Sequence, residues 1–78
     1  MDKKYKQLKV DFDIPDFLQA IISEFVDYLN STSKPLHADL YEAEIRADLN
    51  SCDTDFNEEQ YWILCNYYCL GGIYGSNN

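Results

Sequence analysis

The chain has 78 residues, with six Lys/Arg against fourteen Asp/Glu for a net charge of −8, 46% hydrophobic residues and 15% aromatic ones. That is room for one small domain, 1–78, and its apolar content is too high for a disordered tail. The charge argues against a free-standing cationic nucleic-acid binder, and no apolar run reaches the roughly 18 residues of a membrane span.

The charge is segregated. Residues 1–9 carry four Lys and one Asp, a net +3, whereas residues 10–78 hold thirteen acids against Lys34 and Arg46, a net −11. Residues 1–7 are expected to be a flexible basic arm, 8–70 the folded core and 71–78 a fraying tail. In 8–14, Leu8, Val10, Phe12 and Ile14 alternate with Lys9, Asp11 and Asp13. This is the period of a half-buried strand, which would pair with a second copy or lie extended across helices. From Pro15 to about Asn30 the period becomes helical, with Asp16 and Gln19 resembling a capping box. Phe17, Leu18, Ile21, Ile22, Phe25, Tyr28 and Leu29 share one half of the wheel. Asn30 to Pro35 then reads as a linker.

A second helix is expected from about Leu36 to Leu49, with two opposed apolar stripes. Leu36, Leu40, Ala43 and Ala47 form the one assigned to the core; Tyr41, Ile45 and Leu49 form the other. The third helix has the strongest local signals: Asn57 as N-cap, Gln60 at N3, Phe56 and Tyr61 at staple positions, and Gly71-Gly72 as its stop. Its body, Tyr61 to Leu70, is apolar almost all round. Leu64, Cys65 and Tyr68 are assigned to the core. Ile63, Tyr67 and Leu70, with Tyr41 and Ile45, are the candidate apolar surface for a partner or a dimer. The fold class is therefore mainly α, with a small α+β domain as the variant in which the N-terminal segment forms a strand before three helices.

Three cysteines, Cys52, Cys65 and Cys69, are an odd count that argues against a secreted disulfide framework and for a reducing, cytoplasmic location. With His37 they could make a Cys₃His zinc set, but without the short paired hooks of zinc sites core packing is the simpler reading. Asp48, Asn50 and Glu59 fit positions 1, 3 and 12 of a calcium loop. Position 6 is Asp53 where that loop needs Gly, so turn and cap roles are preferred. There is one histidine, no phosphate-cradling Gly-rich loop and no nucleophile elbow; neither catalysis nor a cofactor is expected.

The acids carry the functional expectation. Asp39, Glu42, Glu44 and Asp48 on the second helix, with Asp53, Asp55, Glu58 and Glu59 around the start of the third, are the candidate acidic partner-binding residues. Spaced carboxylates on a rigid surface can occupy a basic groove built for phosphates. Capping and solubility are the plainer explanation for the same residues. The expected function is a non-catalytic protein-binding module that meets a basic protein surface and neither nucleic acid nor a membrane directly. The alternative is a homodimeric assembly module using the aromatic helix face, and a metal-dependent regulator ranks third. In size, acidity and lack of catalytic motifs the chain resembles small accessory proteins of phages and mobile elements. Among these are inhibitors of host nucleic-acid enzymes such as anti-CRISPR proteins, a likeness of class that carries no residues across.

Overall fold

The computed structural model describes residues 4–75, and of Asp53 and Gly75 the backbone only. Residues 1–3 of the expected basic arm and residues 76–78 of the expected tail lie outside the described residues. The architecture is mainly helical: α1 (Asp16–Ser31), α2 (Ala38–Ser51), a 3-10 turn (Asp53–Asp55), α3 (Glu58–Tyr68) and a one-turn α4 (Gly72–Gly75). Among the described residues no helix is long and apolar enough to cross a membrane.

The N-terminal segment keeps its alternation without forming a strand. Leu8, Val10, Phe12 and Ile14 are half-buried while Lys9, Asp11 and Asp13 are exposed. The segment lies extended across the helices, held by side chains rather than by a ladder. The Leu8 N–H donates to the Tyr68 hydroxyl (2.9 Å), and the Tyr67 hydroxyl donates to the Lys6 carbonyl (2.6 Å). Asn30 clasps Tyr5 at both backbone groups (2.8 and 2.9 Å). The flexible arm expected over 1–7 is therefore tied down from Tyr5 onward. The tail is corrected likewise: Ile73 of α4 is wholly buried and belongs to the core.

Helix α1 starts one residue later than its sequence suggests. Pro15 has a helical φ of −54° but an extended ψ of 147°, so it caps with its carbonyl, which accepts from the Gln19 N–H (2.9 Å). Asp16 is already helical and makes no capping box. Leu18, Ile21, Ile22, Phe25, Val26 and Leu29 are buried, whereas Phe17, expected inside, is half exposed at the open end of the helix.

Helix α2 packs antiparallel to α1 as a helical hairpin. Leu36 and His37 form a turn, and the His37 N–H donates to the Tyr28 hydroxyl (3.1 Å), so the helix opens at Ala38. At its far end Ser51 Oγ, Cys52 N and Cys52 Sγ all bond the Asp48 carbonyl (2.8, 3.2 and 3.0 Å). The two apolar stripes of α2 are placed opposite to expectation. Ile45 and Leu49 are wholly buried, with Tyr41 half-buried above them, while Leu36, Leu40, Ala43 and Ala47 face outward. The reason is area: a stripe of Tyr, Ile and Leu removes more apolar surface from water than one diluted by two alanines. Tyr41 also stacks on Phe25 (5.6 Å between centroids, 23°) and Tyr28 (5.2 Å, 30°).

Helix α3 carries the expected capping box. The Asn57 side chain accepts from the Gln60 N–H (2.8 Å), and the Asn57 N–H donates back to the Gln60 side chain (3.1 Å). Leu64, Cys65 and Tyr68 enter the core against α1 and α2 as expected. Gly71 turns the chain with a φ of +83°, and α4 folds back onto α3.

Candidate functional site: the outward face of helix α2

The apolar stripe expelled from the core becomes the centre of a surface. Leu40, 63% exposed, lines the side of α2 turned from the core with Ala43 and Ala47, and Leu36, 77% exposed, stands in the turn just before the helix. Helical spacing sets acids on both sides of this ridge. On one side Asp39 and Glu42 share a shallow depression with Ala43, Arg46 and Cys69. Glu42 is half-buried there; desolvation pushes its carboxyl above the usual range, Asp39 adds to the shift, and Arg46 opposes it.

On the other side Glu44 faces Glu24 of α1 across the hairpin. The two line a groove of about 370 Å³ floored by Ile21 and Tyr41 and closed by Tyr28, His37 and Leu40. No base lines this groove except His37, so this is the more purely acidic flank. Asp48, half-buried, stands one turn beyond Glu44 on the same side of α2.

The remaining acids lie beyond the end of α2. Asp55, Glu58 and Glu59 are exposed at the 3-10 turn and the first turn of α3, and Asp53 belongs to the same turn. Asp55, Glu58 and Glu59 extend the acidic surface without joining the ridge. Of the apolar candidates, Ile45 cannot meet a partner, because its side chain is wholly buried, and Tyr41 spends its faces on Phe25 and Tyr28. Ile63 is exposed on α3 and Leu70 just past its end, a separate surface with half-buried Tyr67 at its edge. Leu36, Leu40, Glu24 and Trp62 are surface features that the sequence reading did not assign to a site. The two opposed stripes of α2 are visible in the sequence, but which of them turns inward is set with the aromatic rings of α1 and is not written in α2 alone.

Cys69 Sγ donates to the Glu42 carbonyl (3.5 Å), and burial, with Cys65 beside it, pushes its pKa up to about 12. Asp53 and Asp55 fall in the 3-10 turn and Asn57 caps α3, the turn and cap roles preferred over a calcium loop. Helix α2 runs through Ser51, so Asp48 and Asn50 sit on helical backbone and cannot wrap an ion. Among the described residues no three His, Cys, Asp or Glu side chains converge where a metal could be held. Compared with known proteins, the chain matches no family model, no curated protein and no solved structure.

Proposed function

We propose that the chain is a non-catalytic binding module that docks a basic surface of another protein against the outward face of α2. The observation that carries this reading is the exposure of Leu36 and Leu40 between two acidic flanks. Exposed leucines are costly for a domain whose core is this small, and a partner that covers them recovers that apolar area. Ala43 and Ala47 beside them let a partner approach the helix closely. Asp39 and Glu42 on one side, and Glu24, Glu44 and Asp48 on the other, select for Lys and Arg around an apolar centre and speed encounter.

A surface built of Lys and Arg with accessible apolar groups is what a nucleic-acid-binding groove offers, and carboxylates on a rigid helix take the places of its phosphates. Occupying such a groove would exclude nucleic acid, the action of an inhibitor of the kind phages and mobile elements direct at host enzymes.

The test is capture from a bacterial lysate on the immobilised chain, with elution along a salt gradient and identification of what is released. The expected partner is a nucleic-acid-processing protein released by salt, because screening weakens contacts between exposed charges. The double variant Glu24→Lys/Glu44→Lys and, separately, Leu40→Asp should each lose it. A partner indifferent to salt, or one retained by both variants, would overturn the reading.

A further inference from the structure

The outward face of α3 is a second surface, distinct from the α2 ridge. Glu59, Trp62, Ile63 and Asn66 are exposed along it, Trp62 by 47%, and Leu70 continues the line past the last turn. Along its Tyr67 edge the N-terminal segment runs antiparallel to the helix. Tyr5 meets Tyr74 edge-on beyond the helix C-terminus (5.7 Å), and Lys6 accepts from the Tyr67 hydroxyl (2.6 Å). Leu8 shares a shallow apolar depression with Ile63 and Tyr67. Phe12 meets Phe56 just before the helix starts (5.9 Å).

This path gives the face a charge gradient. Lys4 and Lys6 are exposed beside the C-terminal end of α3 along its Tyr67 edge, whereas Asp11, Asp55, Glu58 and Glu59 are exposed towards its N-terminal end; Asp39, Glu42 and Arg46 lie around Cys69 on the opposite, α2 side. The middle, Trp62, Ile63 and Asn66, is uncharged.

We propose that this face pairs with the same face of a second copy of the chain, with the two α3 helices antiparallel about a two-fold axis. A two-fold interface must be complementary to itself. Here antiparallel pairing sets apolar centre on apolar centre and brings Lys4 and Lys6 of each copy towards Glu58, Glu59 and Asp11 of the other. Parallel pairing would set like charges together, so the gradient selects the orientation. One helix face and one flanking segment make a small interface, so the dimer is weak and forms in the range from about 10 µM to 1 mM. The inference is argued from the face of α3 and its flanking segment alone, so it does not rest on the function proposed above.

Sedimentation of the full chain across that range tests it. The wild type is expected to dimerise, and Ile63→Asp to stay monomeric throughout. Glu59→Lys and Lys6→Glu, both exposed positions, should each weaken self-association about tenfold, the effect of losing roughly 1.4 kcal/mol. An equimolar mixture of the two charge variants should restore it, because both contacts of the mixed dimer again join opposite charges. A wild type that is monomeric at about 1 mM overturns the proposal, as does a dimer that Ile63→Asp leaves intact. Failure of the mixture to recover overturns the antiparallel arrangement.

Discussion

Gly71 and Gly72 end α3 for different reasons. Gly71 has a φ of +83°, where a side chain is strained, but a Cβ there would have space, with Tyr74 no closer than 3.9 Å. Gly72 has no such φ; a Cβ on it would lie 2.7 Å from the Asn66 carbonyl oxygen and 2.8 Å from Tyr67 Cα, both backbone atoms of α3. Gly71→Ala should cost about 1–2 kcal/mol, and Gly71→Asn less, since Asn tolerates the left-handed region. Gly72→Ala has to push α4 and buried Ile73 away from α3, at about 3 kcal/mol, the upper end for overpacking. Urea midpoints of the three variants check this order. A second residue-level consequence comes from Tyr68 and Cys69, each raised to about 12 by burial from ordinary values of 10.0 and 9.0. The fold favours their neutral forms, so the unfolded chain loses these protons first. Their contribution is complete below pH 9 for Cys69 and below pH 10 for Tyr68, and it is lost as pH rises towards 12. The urea midpoint should therefore fall across that window. Tyr68→Phe should flatten the part above pH 10 while lowering stability at pH 8 by about 1 kcal/mol, through the acceptor lost to Leu8.

Helix ends and helix faces were unequally legible in the sequence. The start of α3 is written in four consecutive residues, because a capping box satisfies backbone donors with local side chains and needs nothing from the rest of the fold. Asn57→Ala should accordingly cost about 1 kcal/mol, and Asn57→Ala/Gln60→Ala less than the sum of the two single changes, because the two bonds form one reciprocal unit; thermal melts of the three variants check it. The faces of α2 were not local. Both stripes were visible, but which one turned inward depended on Phe25 and Tyr28 of α1, against which only the Tyr41 stripe could stack. The alternation of residues 8–14 was legible and its meaning was not. The period reports one buried side, and a side buried under helices gives the same pattern as a strand in a sheet. Consequently Asp39 and Glu44 are exposed while Glu42 and Asp48 are half-buried, Ile45 is wholly buried, and the leucines at the centre of the candidate surface, expected in the core, are exposed.

For the molecule as a whole, a net charge of −8 on 78 residues opposes compaction. Salt should therefore stabilise the fold: between about 20 mM and 0.5 M NaCl a gain on the order of 1 kcal/mol is expected, or about 4–8 °C in Tm for a domain of this size. The proposed complex with a basic partner should respond in the opposite direction, weakening over the same range. Glu44 joins the two effects. It stands four residues before Asp48 on α2 and faces Glu24 across the hairpin groove, so it is surrounded by like charge. Glu44→Lys replaces repulsion by attraction and should raise stability at low salt by a few tenths of a kcal/mol, a gain that shrinks as salt screens it. If the acidic flank serves binding, this one substitution strengthens the fold and abolishes the partner. Loss of stability in Glu44→Lys at low salt would instead place Glu44 among the residues that hold the hairpin together. The acidity of α2 would then be explained by folding alone, so thermal melts of this variant at two salt concentrations separate the two origins before any partner is in hand.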